Sequence, residues 1–219
     1  MIFYRMLPDS PDKAEMLSGL GLPASDVAYS GTHAYTLGAP VVADPQWRKD
    51  FVDRVTYRNL AIFYLRNLPL TWHLLGRELK EDAPRIRPVG FGNFEREDGF
   101  PPGAMAHRFD AWSNLRSWLL RVFPAHMVMF YGVMDMASLL CLFRPAWAAR
   151  WPQYPLVMLL AASGQVEFLF AVLLDGTETA RHLFFFHVIT EILIVYAVAA
   201  ILSQLAYWYA NVPSSAMVT

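Results

Sequence analysis

The second half of the chain contains three nearly unbroken apolar stretches, residues 125–143, 155–174 and 183–209. About 20 residues at a 1.5 Å rise cross a hydrocarbon core of about 30 Å, so each stretch predicts a membrane-spanning helix. The third is longer than a span requires and is expected to tilt or protrude. Before residue 124 the pattern is mixed. Trp47, Phe51, Val55, Ile62 and Phe63 recur at helical spacing behind Asp44-Pro45, which suits an N-cap followed by proline at N1, and predict one amphipathic helix over 45–67. A second is expected over 69–80, with Trp72, Leu75 and Leu79 on one side. A third is expected over 111–123, capped by Asp110 or Ser113. In this third helix Trp112, Leu115, Trp118, Leu119 and Val122 form an apolar face suited to the headgroup layer, with Arg116 and Arg121 opposite. Residues 1–44 are broken by Pro8, Pro11, Gly19, Gly21, Pro23, Gly31, Gly38 and Pro40. They read as an irregular segment packed on something else, with a short helix near 11–20. Residues 81–110 read as a solvated loop pinned by Val89, Phe91, Phe94 and Phe100.

These elements predict an all-α integral membrane protein with three regions. Residues 1–123 form a loop-rich interfacial region with amphipathic helices, residues 124–210 a three-span domain, and residues 211–219 a polar tail. Charge sharpens this division, since Arg181 is the only Lys or Arg after residue 151. A formal net charge of -1 excludes a basic nucleic-acid surface. Cys141, the single cysteine, excludes an internal disulfide and cysteine-cluster metal or c-type haem motifs, and reads as a buried small hydrophobe. The first eight residues lack the continuous apolar core of a secretory signal. Arg144 and Arg150 in a short loop favour an extracytoplasmic N-terminal region in a bacterial inner membrane. Arg108, Arg116 and Arg121 argue the other way.

The charges inside the apolar stretches fall into two groups. Asp175-Gly-Thr-Glu178 has the spacing of a helix N-terminal cap, and Arg181 lies within ion-pair reach of Glu178. With His182 these residues form a polar turn at the membrane surface. Deeper in, rise arithmetic puts Asp135 and His187 about 16 Å and Glu167 about 12 Å from a common face, with Glu191 one turn deeper. His187, Glu191, Ile194 and Val198 share one predicted helix face. The cluster of Asp135, Glu167, His187 and Glu191 reads as a structural polar network between helices, a polar cavity of a transferase or transporter, or a metal or pigment site. His126, His182 and His187 are candidate ligands for haem or chlorophyll; no metal site is expected. The sequence has no Gly-x-Ser-x-Gly, His-Glu-x-x-His or phosphate loop to support catalysis.

The strings Phe91-Gly-Asn-Phe-Glu-Arg-Glu-Asp-Gly-Phe-Pro-Pro-Gly, Trp112-Ser-Asn-Leu-Arg and Asp175-Gly-Thr-Glu-Thr-Ala-Arg-His-Leu-Phe resemble the C-terminal part of bacterial polytopic membrane proteins. These are grouped with integral-membrane lipid-linked-sugar glycosyltransferases. The resemblance implies a catalytic acid in an early loop that this chain does not match, so it transfers no catalytic residue. Three spans and a long aromatic arm point instead to an accessory, non-catalytic subunit whose partners are the lipid bilayer and other membrane protein subunits.

Overall fold

The computed structural model describes residues 1–33, 36, 39, 43–86, 94–108, 110–143, 153–175 and 178–211. Several sequence expectations fall outside the described residues. They are Gly38 and Pro40 of the irregular segment, Val89 and Phe91 of the pinned loop, the arginines at 144 and 150, Gly176 and Thr177 of the cap string, and the tail after 211.

Among the described residues the chain is all-helical, without a strand. A helical turn, Ile2–Met6, runs into another, Leu7–Asp9. The helices are α1 (Lys13–Gly19), α2 (Pro45–Arg54), α3 (Tyr57–Arg66), α4 (Leu68–Glu81), α5 (Ala111–Val122), α6 (Ala125–Leu142), α7 (Gln153–Leu174), the short α8 (Thr179–His182) and α9 (Phe184–Ala210). Helices α6 and α7, and the run Thr179–Ala210, are long and apolar enough to cross a membrane, at the places the sequence predicts. Two compact units emerge. The first is Met1–His126 with Phe168–Leu183, and the second is Met127–Glu167 with Phe184–Thr219. The start of α6 and the end of α7 therefore both belong to the first unit.

The first unit has its own core. Ile2, Met6, Leu7, Met16, Leu17, Leu20 and Leu22 pack with Leu60, Phe63, Tyr64 and Leu74, and Leu173 at the end of α7 joins them. The N-terminal segment thus packs on helices of its own chain. Asp12 caps α1 by accepting from the Glu15 amide (2.8 Å), and Asp44 caps α2 through the amides of Gln46 and Trp47. The predicted single helix over 45–67 is two helices. Thr56 leaves helical geometry and its hydroxyl accepts from the Asn59 amide, so a second N-cap restarts the chain. Tyr64 is buried and donates to the Leu173 carbonyl oxygen (2.7 Å), and burial pushes its phenol up.

The predicted apolar face of α4 is split, with Leu75 alone of its three residues buried, and that of α5 is largely turned away from the protein. On α4 the buried side is Thr71, Leu74, Leu75 and Glu78, while Trp72 is 69% exposed. On α5, Arg116 and Leu120 are buried, whereas Trp112, Leu115, Trp118 and Val122 are exposed. Hydrophobic periodicity identifies an apolar face but leaves open whether protein or another apolar medium covers it.

In the second unit Phe186, His187, Thr190 and Leu193 form the buried stripe of α9. The stripe keeps His187 of the predicted inward face but continues through Thr190 and Leu193 rather than through Glu191, Ile194 and Val198. Val198 is exposed and Glu191 is half-buried.

Candidate functional site

The second unit holds a polar layer inside its spans. Tyr131 on α6 and Thr190 on α9 share a hydrogen bond of 2.9 Å between their hydroxyls, and Thr190 also donates to the Phe186 carbonyl oxygen (2.7 Å). The Tyr131 ring stacks on Phe186 at 5.8 Å. Gly164 on α7 completes the crossing. A Cβ there would lie 3.0 Å from Ile189 Cγ2 and would overlap the Tyr131 hydroxyl, so only glycine admits this approach. Away from this crossing, Gln165 donates to Asp135 (2.6 Å). An amide donor answers a carboxylate at membrane depth, where an unanswered one is costly.

Of the predicted inner cluster, Asp135 is half-buried on Gln165, His187 is buried, and Glu167 and Glu191 are half-buried. No group of three or more His, Cys, Asp or Glu side chains among the described residues is placed to hold a metal. Tyr131, Gly164, Gln165 and Thr190 were not singled out from the sequence. A glycine inside an apolar helix was the available signal, because small residues mark close helix approach in membranes.

The surface turn also differs in detail. Asp175 accepts from the Glu178 amide (3.2 Å), but the helix begins after Glu178, which occupies the N-cap position without a side-chain cap bond. Arg181 pairs with Glu178 at 2.7 Å, as its spacing predicts, and His182 lies 3.8 Å from Asp175. The other candidate pigment ligand, His126, meets the Phe123 carbonyl oxygen through Nδ1. His187→Ala is expected to destabilise the spans by about 2 kcal/mol, because it empties buried volume. Glu178→Ala removes one exposed ion pair and is expected to cost less than about 1 kcal/mol. Thermal unfolding in detergent checks the contrast, and equal shifts would show that His187 carries no more packing than a surface residue.

A groove of about 630 Å³ opens in the second unit between α6, the start of α7 and the C-terminal half of α9. Its wall carries Ala137, Ala197 and Ala200, and its polar groups include Ser138, Tyr196, Ser203 and Gln204. Cys141 lines it and is half-buried, more open than the buried position expected of it.

The densest charge lies in the first unit. Arg5 pairs with Glu78 and, at 3.0 Å, with Asp82; Arg77 pairs with Asp9 and, at 3.2 Å, with Glu78; Arg85 meets Asp82 at 3.1 Å. Glu78 is only 1% exposed. Burial, reinforced by the neighbouring Asp82, raises the Glu78 carboxyl above its ordinary 4.5 against the pull of Arg5. Burial acts in the same sense on Asp82, but hydrogen bonds from Glu78 and Arg5 and the charges of Arg5 and Arg85 overcome it and hold Asp82 below 3.8. Sequence reading missed this network because its members span residues 5 to 85. None stands out in a mixed-charge region.

No curated protein and no solved structure matches the chain. A family model described as the YfdI N-terminal transmembrane domain matches residues 1–215, and the chain belongs to that family.

Proposed function

We propose that this membrane protein is a non-catalytic subunit that joins other subunits of a larger membrane complex through its spans. The groove between α6, α7 and α9 carries the reading. Rise arithmetic puts its wall from Ser138 to Gln204 about 20 to 30 Å from the ends at which α6 and α9 enter, in the far part of the hydrocarbon layer. Ser203 and Gln204 are exposed there and make no side-chain hydrogen bond among the described residues. Lipid tails offer such groups nothing, whereas a neighbouring helix can approach the alanine wall closely and answer the amide. In a bacterial inner membrane, the arginines at 144 and 150 support an extracytoplasmic N-terminal region.

The test begins with native membranes extracted in mild detergent. The chain is expected to migrate with partners, well above its own 24.9 kDa. Ala200→Phe, which fills the groove, is expected to release it, while Val195→Phe on an exposed position outside the groove leaves the complex intact. A stable, helical, monodisperse monomer from native membranes would overturn the reading.

A second reading follows the resemblance to lipid-linked-sugar glycosyltransferases. Arg181 and His182 are more than half exposed where the third span begins, which suits a phosphate headgroup. In that reading the chain works as one portion of a larger transferase. The gene on both sides of this reading frame discriminates the two. Continuous coding for further spans or a catalytic domain favours the second, and a separate short gene favours the first.

A further inference from the structure

We infer that α5 lies in the lipid headgroup layer and holds the first unit on the membrane through the face formed by Trp112, Leu115, Trp118 and Val122. The side of α5 that packs on protein holds Arg116, 3% exposed, and Leu120, and α4 is among its neighbours. Its apolar side is turned outward instead, with Trp118 56% exposed. A third side carries Asn114, Ser117 and Arg121. A helix in water would bury the tryptophan side. This helix is partitioned as one that meets protein, an apolar boundary and water on three separate sides.

Chain continuity selects lipid as the apolar medium. Only Phe123 and Pro124 separate the end of α5 from α6, a membrane span, so Val122 lies within about 10 Å of the point where the chain enters the bilayer. Phe123 leaves helical geometry (φ −140°, ψ 67°), so α5 does not simply prolong the span outward. Tryptophan is the side chain that favours the boundary between headgroups and acyl chains, where its ring is apolar and its N–H stays wet. Arg121, one turn from the entry point and exposed, is placed to meet a phosphate oxygen.

Removing the single thiol (Cys141→Ser) allows spin labels to be placed one at a time at cysteines substituted for Asn114, Leu115, Trp118, Arg121 and Val122. The full chain is reconstituted into phosphatidylethanolamine–phosphatidylglycerol vesicles. Collision with oxygen, which concentrates in lipid, is compared with collision with a water-soluble nickel chelate. Labels at 115, 118 and 122 are expected to show a higher oxygen-to-nickel ratio than those at 114 and 121, giving an oscillation of about 3.6 residues. Nickel access as high at 118 as at 121 means the face meets water and overturns the inference. Low access to both reagents at 115, 118 and 122 means another protein covers it, and overturns it equally. Quenching of native tryptophan emission by brominated lipid supplies a reading that needs no labelled cysteine. Trp118→Phe is expected to remove part of the quenchable signal, and an unchanged quenchable fraction would count against the placement.

Discussion

Gly164→Ala is expected to destabilise the three-span unit, whereas Gly132→Ala is expected to stabilise it. Both substitutions gain helix propensity, worth about 1 kcal/mol in a helix interior. They differ in what the new methyl group meets. At Gly132 a Cβ has nothing within 4 Å. At Gly164 it would overlap the Tyr131 hydroxyl and press on Tyr131 Cε1 and Ile189 Cγ2, each at 3.0 Å. Overpacking of this kind typically costs about 1–3 kcal/mol, enough to reverse the propensity gain. Gly164→Val is expected to lie at the upper end of that range. Cys141 is the single thiol and half-buried, so a thiol-reactive dye reports thermal unfolding without further engineering. The contact has a specific signature. Tyr131→Phe deletes the oxygen that the methyl group meets and also the bond to Thr190, so its cost and that of Gly164→Ala should combine to less than their sum. Equal melting temperatures for the two alanine variants would mean that α7 does not cross α6 and α9 at Gly164.

The reach of the sequence can be judged from these same elements. The three spans were legible because length and unbroken hydropathy are one-dimensional properties, and the observed helices begin and end within two residues of the predicted stretches. The caps at Asp12 and Asp44 are also local, and Asp44 was legible for that reason. Faces were harder. On α5 the wheel correctly separated Trp112 and Trp118 from Arg116, but a wheel carries no information on which side the rest of the chain occupies. Here the buried side holds Arg116 and Leu120, while Arg121, predicted beside Arg116, is exposed on another side. Thr56 split a predicted helix because a hydroxyl in a polar stretch is an ordinary residue until its neighbours leave helical geometry. Inside the spans the sequence marks out ionisable residues, because charge at depth is conspicuous. The described contacts are built largely from neutral groups, Tyr131, Thr190 and Gln165, whose partners sit 59 and 30 residues apart in sequence. Pairings at such separation leave no periodic trace.

The same lesson applies to Arg5, whose replacement by methionine is expected to open the first unit. Arg5 is the cation shared by Glu78 and Asp82, and its loss leaves two carboxylates side by side in a buried setting, with Arg77 and Arg85 at their edges. Removing one member of a buried ion network typically costs about 3–5 kcal/mol, a large share of the 5–15 kcal/mol that stabilises an ordinary domain. Hydrogen exchange is expected to accelerate in Ile2–Met6, α3 and α4, while amides of α9 around Thr190, which belong to the other unit, keep their protection. Uniform acceleration in both units would show that they do not unfold separately. Glu78→Gln is expected to cost less than Arg5→Met at neutral pH, and the sign follows from linkage. Glu78 has a raised folded value, so it favours the fold when protonated. Its contribution is complete below the ordinary 4.5 and is lost as pH rises through the folded value. Asp82 has a lowered folded value, so its contribution is complete above 3.8 and is lost as pH falls through the folded value. Glutamine fixes position 78 in an uncharged form and removes only the first of these dependences. The variant should therefore lose less stability than the parent as pH rises above 4.5, yet keep the acid-side loss that Asp82 supplies. If Glu78→Gln instead destabilises the first unit as severely as Arg5→Met at neutral pH, then the Glu78 charge itself holds Arg5 in place, and Asp82 is the lesser partner.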